Sequence, residues 1–183
     1  MPTFVIEHLE PKVYPWCKLE YAHISSVVGK DNLIFTNTKS AFLKKFGKVE
    51  QKRTKELTFK NACVLDPESK ETLSPAISKR FDYFIFGGIL GDYPPRKRTQ
   101  EELILAYPRY NLGKDQMSTD TAVIVTYKIA TGTPLEKMRF QDGIEVDIKE
   151  GESIQLPYKY LIINGKPLLP KGLLEMLKEQ KGF

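Results

Sequence analysis

FDYFIFGGILGDYPPR, residues 81–96, is the stretch that decides the fold, because it runs from an apolar strand into a loop that a simple turn does not require. Phe81–Phe86 reads as a strand, ended by Gly87-Gly88. Glycines 87, 88 and 91 let the backbone take positive φ and approach a ligand closely, and Asp92 with Pro94 and Pro95 stiffens the exit. Glycine, acid and paired proline together point to a shaped site. It is not a nucleotide-phosphate loop, since GGILGD departs from GxGxxG, no GxxxxGK[ST] occurs, and no long helix starts right after the glycines.

Outward from this stretch, strands and helices alternate. Thr3–His8, Asn32–Thr36 and Ala62–Leu65 read as further strands. Trp16–Val28 reads as a helix, with Cys17, Tyr21, Ile24 and Val28 on one face and Gly29 as its stop. Ser40–Phe46 and Gln100–Ala106 read as short helices, Arg109–Leu112 as a short strand, and Thr119–Ala130 as a longer helix. Thr119 is the expected N-cap there, with Asp120 in the first turn, where a carboxylate suits the helix dipole. Strands joined by helical crossovers predict an α/β fold with a mostly parallel sheet and helices on both faces. The tail differs: Gly143–Ile148 alternates as a half-exposed strand, Ser153–Ile163 is extended, Asn164-Gly165 is a turn, and Gly172–Glu179 closes as a helix. A single domain over 1–183 is expected, with a core over about 1–138 and a small C-terminal β/α extension over about 139–183.

In open α/β sheets ligands bind beyond the carboxyl ends of the strands. Three loops qualify: Leu65-Asp66-Pro67, the glycine loop 86–96, and 111–121.

Composition narrows the function classes. With 183 residues, 41% hydrophobic and 28% charged, the chain can bury a real core. No apolar window approaches a membrane span, and the first residues lack a basic start and an apolar run, so the cytoplasm is the expected compartment. The two cysteines, Cys17 and Cys63, and the two histidines, His8 and His23, show no metal-ligand spacing; no metal is expected, and both cysteines read as core residues. A nucleophilic Ser/His/Asp or Cys/His set is unsupported. The net charge of +5 is clustered at Lys44, Lys45, Lys48, Lys52, Arg53 and Lys55, and again at Arg96, Lys97 and Arg98. The first cluster reads as a solvated surface without interleaved stacking aromatics.

FDYFIFGGILGDYPPRKRT (81–99) followed by AYPRYNLGKDQMSTDTAV (106–123) resembles the SPOUT-type protein-arginine methyltransferases, which modify a KH-domain protein of the small ribosomal subunit. FVIEHLE (4–10), CKLEYAHI (17–24), NLIFT (32–36), VLDP (64–67) and the tail QLPYKYLIINGKPLLPKGLLEML (155–177) fit the same family, so the resemblance spans nearly the whole chain. Residues 37–60 depart from it, being shorter and more basic. The resemblance implies a trefoil knot on the C-terminal side of the sheet, an exception to the usual avoidance of knots. It also implies S-adenosylmethionine as methyl donor, with S-adenosylhomocysteine as product. By position, Leu65, Asp66 and Pro67 would flank the cofactor. Phe86, Gly87, Gly88, Ile89, Leu90 and Gly91 would wrap its methionine and ribose, and Leu112, Gly113, Gln116, Met117, Ser118, Thr119 and Thr121 would hold its adenine.

An arginine acceptor adds one chemical demand. Its guanidinium has a pKa above about 12, so a carboxylate must orient it and take its proton. Asp92, in the glycine loop, is the first candidate; Glu7, at the end of the first strand, is the second. Asp66 and Asp120 read as turn and helix-start carboxylates. The expected partner is a ribosomal protein of the small subunit, with ribosomal RNA contacted through Arg96, Lys97 and Arg98. A monomer is expected, the extra C-terminal strands covering the usual dimer face of knotted methyltransferases. Two other readings stand beside this one: an RNA methyltransferase of the same fold, and a non-catalytic ribosome-assembly protein.

Overall fold

The computed structural model describes residues 1–88, 103, 105–149 and 151–179. Among them, strands β1 (Thr3–His8), β2 (Leu33–Thr36), β3 (Lys48–Val49), β4 (Ala62–Leu65), β5 (Tyr83–Gly88) and β6 (Arg109–Tyr110) form one sheet. Its order is β3-β2-β1-β5-β4-β6. Every neighbouring pair is parallel, so all six strands point their carboxyl ends to the same edge.

The apolar runs predict this, because strands β1, β4 and β5 are buried on both faces. On one face, Phe4, Ile6, Phe35, Cys63, Phe84 and Phe86 pack against Cys17, Tyr21 and Ile24 of helix α1 (Pro15–Val28). Val123 and Ile124 of helix α3 (Thr119–Ala130) join them. On the other, Val5, Ala62, Val64 and Ile85 meet Leu103, Phe59 and Tyr107. The helix expected over 100–106 lies mostly outside the described residues. Helix α1 ends at Gly29, whose φ of +84° costs a glycine little and whose N–H donates to the Ser25 carbonyl.

The C-terminal part forms a second sheet. Strands β7 (Phe140–Lys149) and β8 (Glu152–Ile163) are antiparallel, and β9 (Lys166–Pro167) returns through Asn164-Gly165, both at positive φ, as a two-residue hairpin turn demands. Helix α4 (Leu173–Glu179) brings Leu173 and Leu177 against Val146, Leu156 and Tyr160. Trp16 and Leu19 of α1 pack on this cluster, so the extension sits on the core helix.

Several boundaries differ from the sequence reading. Strand β5 begins at Tyr83 and runs through Gly87 and Gly88, because both pair with Glu7 and His8 of β1. The segment 40–46 forms a 3-10 turn over Ala41–Lys45 rather than an α-helix. Ser118, not Thr119, occupies the N-cap of α3, and its hydroxyl turns to Asp120 and Thr121 rather than capping an N–H. Strands β3 and β9 and the one-turn helix α2 (Pro75–Ser78) are too short to leave a periodic signal. The path of the expected knot runs partly through 89–102, outside the described residues.

No helix among the described residues is long and apolar enough to cross a membrane.

Candidate active site

The three loops singled out above emerge from one edge. Register places Glu7 beside Gly87, Val64 beside Ile85 and Leu65 beside Tyr110. Leu65-Asp66-Pro67, Gly87-Gly88 and the segment from Asn111 onward therefore leave the sheet side by side. Ile89, Leu90, Gly91 and the candidate proton acceptor Asp92 lie outside the described residues, as do Arg96, Lys97 and Arg98.

The first loop is held internally. Asp66 is buried; its side chain accepts from Glu68 N–H at 3.0 Å and from Arg109 Nη1 at 2.9 Å. Such a carboxylate shapes the loop from within.

The third loop is braced from two sides. Asn111 Oδ1 accepts from Gly113 N–H and from the Thr72 hydroxyl, each at 2.9 Å, while its amide donates to the Ser69 carbonyl at 2.8 Å. One side chain thus ties 69–72 to the start of the loop. An Asn two residues before a glycine carries the signal of an Asx turn, so this residue was readable from sequence. From the other side, β8 lies along the loop: Met117 pairs with Lys159, and Lys159 N–H donates to the Gln116 carbonyl at 2.9 Å. The Lys159 ammonium pairs with Asp115 and lies 3.5 Å from Asp142. The hydrogen bond it donates to Asp115 is the main reason its pKa is raised. No local pattern marks Lys159, since its partner lies 44 residues away.

Within the loop, Leu112, Ser118, Thr119 and Thr121 are buried. Ser118 donates to Asp120 at 2.6 Å and lies 2.8 Å from the Thr121 hydroxyl. Ser118, Asp120 and Thr121 thus bond one another, whereas Gln116 Oε1 is buried without a partner among the described residues. Gly113 has φ +102°, and a Cβ there would project into open space.

The two glycines of β5 act differently from the expectation. Neither takes a positive φ, and a Cβ on Gly88 would come within 2.5 Å of the Tyr21 hydroxyl and 2.8 Å of Ile6 Cγ2. Gly88 is therefore needed for packing. That hydroxyl lies 2.9 Å from His8 Nδ1. Burial lowers the His8 pKa, outweighing the Lys12 carbonyl and Glu10, and burial raises that of Tyr21, so the pair is neutral.

Glu7 also needs correction. Its carboxylate is buried and already bound: Oε1 by Arg53 Nε at 2.7 Å, Oε2 by Thr54 N–H at 2.9 Å. Both oxygens anchor the 53–56 turn, so Glu7 shapes the wall of the site and does not offer a free edge to an acceptor.

A second buried acid lies between α1 and α3. Glu20 accepts from the Trp16 indole at 2.9 Å. Burial, then the charge of Asp120, raises its pKa well above the ordinary value, and the indole opposes this. Asp120 itself is 2.7 Å from His23 Nδ1. Among the described residues no cluster of His, Cys, Asp or Glu is arranged to hold a metal. Cys17 and Cys63 are buried free thiols, pushed by burial to about 11 and about 12.

Comparison with known proteins gives this edge its chemistry. The family described as protein arginine N-methyltransferase SFM1-like matches residues 3–182. The chain is 36% identical to the protein arginine N-methyltransferase SFM1 of Saccharomyces cerevisiae, covering 96% of this chain and 94% of that protein. The crystal structure of the yeast arginine methyltransferase SFM1 complexed with SAH superposes with a TM-score of 0.88 at 34% identity, covering 96% and 94% of the two chains. The dual-specific Trm10 of Thermococcus kodakaraensis, 18% identical, shares the SPOUT-like fold with a TM-score of 0.59 over 75% of this chain and 96% of its own. The chain belongs to the SFM1-like family of protein arginine N-methyltransferases, and is thus a methyltransferase of SPOUT-like fold.

Proposed function

We propose that this chain methylates an arginine side chain of a small-subunit ribosomal protein in the cytoplasm, with S-adenosylmethionine as donor. The observation that carries the reading is the 36% identity over 96% of the chain to a protein arginine methyltransferase. Related structures hold SAM, SAH or MTA, three adenosyl sulfur compounds of which the first is a sulfonium and the other two are thioethers.

The residues present fit such a group. Among the described residues Gln116 Oε1 is a buried acceptor lacking a donor, as an amino-bearing base requires, and the open space at Gly113 admits a ligand beside the backbone. Leu65, Pro67, Gly87 and the 112–118 loop would hold the donor, which supplies an electrophilic methyl on a sulfonium. The chain's own work is positioning, exclusion of water, and acceptance of the proton that the guanidinium loses. With Glu7 engaged by Arg53, that last task falls to Asp92. Asp92→Asn is expected to keep cofactor affinity within a few fold and to lower methyl transfer by roughly a hundredfold or more. Unchanged turnover would remove Asp92 from the reaction.

The acceptor is tested by labelling ribosomal subunits with tritiated methyl donor, then digesting with nuclease or protease. Label that survives nuclease and is released as methylarginine supports the reading. Label confined to nucleotides would replace it with RNA methylation. Failure to bind S-adenosylhomocysteine in calorimetry would instead favour a non-catalytic assembly protein.

A further inference from the structure

Residues 39–60 hold eight lysines and arginines against two glutamates, a surplus larger than the +5 of the whole chain. In sequence its cluster from Lys44 to Lys55 reads as a solvated surface without interleaved stacking aromatics. In the fold, the 3-10 turn Ala41–Lys45 buries Leu43 and turns Phe42 outward, where it remains 37% exposed. Phe46 braces its ring edge-on, with centroids 5.3 Å apart. Two ammoniums converge on that ring: Lys18, from α1, at 5.1 Å from its centroid and Lys45 at 5.5 Å. Neither has a carboxylate partner among the described residues. Lys44 is exposed in the same turn, and Lys48 follows on the edge strand, paired with Glu50 at 2.8 Å.

A guarded sheet edge accounts for Lys48, since lysine on an edge strand discourages pairing with another chain. It does not account for an aromatic ring held outward between two unpaired ammoniums. Each ammonium is attracted to the ring, but the two repel one another; an anion sharing the site offsets that repulsion, and a phosphate strand supplies anions beside its bases. We propose that Phe42, with Lys18, Lys44 and Lys45, is a docking surface for single-stranded RNA, the ring stacking on a base while the lysines meet phosphates. The choice of RNA as the strand rests on the ribosomal acceptor proposed above; the surface itself does not depend on which atom is methylated.

Binding is read by fluorescence anisotropy of a labelled mixed-sequence RNA 12-mer, with the intact chain and neither cofactor nor acceptor present. Phe42→Ala is expected to weaken binding about tenfold or more, and Phe42→Trp to restore it. Lys18→Gln with Lys45→Gln should reduce the slope of log affinity against log salt by roughly 1 to 1.5. S-adenosylhomocysteine affinity, measured separately, should be unchanged in all of these variants, which verifies folding and separates this surface from the methyl-transfer site. No RNA binding at low salt, equal binding of an acidic peptide, tighter binding of the matching DNA strand, or indifference to Phe42→Ala would each overturn the proposal.

Discussion

Gly88 ends strand β5 and Gly113 lies in the loop after β6, and a side chain at each meets a different obstacle. At Gly88 the obstacle is Tyr21 and Ile6, inside the core. At Gly113 it is the backbone itself, at φ +102°, with space around it. Gly88→Val overpacks a filled site at a cost of about 1–3 kcal/mol, which for a chain of this size lowers Tm by roughly 2–12 °C. Gly113→Val is expected to weaken S-adenosylhomocysteine binding about tenfold or more with a smaller thermal effect. Thermal unfolding and calorimetry on the pair would reveal the opposite pattern if the roles were exchanged. Glu20 makes a second case at this scale. It faces Asp120, itself bonded to His23, with Trp16 and Tyr160 close by, and its folded pKa is raised above 4.5. Above pH 4.5 the unfolded chain loses this proton while the folded chain keeps it. The side chain's contribution therefore falls by about 1.4 kcal/mol per pH unit until the raised folded pKa is reached, and is constant beyond. Glu20→Gln removes that loss, so the stability gap between variant and parent in urea melts should widen from pH 4.5 upward. A gap independent of pH would show that Glu20 ionises normally.

At the level of elements, the decisive contact is between β8 and the loop 112–118. That loop has no regular structure of its own, and ordering it on binding would subtract from affinity. The backbone bond from Lys159 to Gln116, the Lys159–Asp115 pair and the Asn111 turn order it beforehand. Lys159→Met is expected to weaken S-adenosylhomocysteine binding several-fold to tenfold, while changing stability by no more than about 1 kcal/mol, because the ion pair is partly open to solvent. Lys159→Arg should recover most of the affinity. Equal affinity for all three proteins in calorimetry would mean that the C-terminal sheet does not support the site.

For the whole molecule, the C-terminal sheet covers α1: Trp16 and Leu19 are packed beneath Tyr160, Leu173 and Leu177. That apolar face is not available to a second copy, so we expect a monomer. Light scattering at micromolar concentration should return a mass near 21.0 kDa. A stable mass of twice that value would require another interface. The basic surplus lies on residues 39–60, where Lys44 and Lys45 face outward while Arg53 is paired with Glu7 at the sheet edge.

Much of this architecture is written in local pattern. Apolar runs of four to six residues between helical periods dictate a parallel sheet, since strands buried on both faces cannot alternate. The α1 face and its Gly29 stop, the β1 and β4 bounds, and the Asn164-Gly165 turn follow from spacing and backbone preference alone. The strand-end rule singles out the same three loops that the sheet sets along one edge. Other facts needed the third dimension. Glu7 looks free in sequence because Arg53 is 46 residues away, and only parallel stacking of β1 and β2 places the 53–56 turn on its carboxylate. Gly88 looks like a ligand glycine until Tyr21 is folded against it. The segment 40–46 looks like a short helix, and only the 3-10 turn it forms instead shows Leu43 buried and Phe42 turned outward. Short-range spacing reports which face of an element is apolar; it carries no information about which distant charge or ring will be set against it, and that is decided by packing.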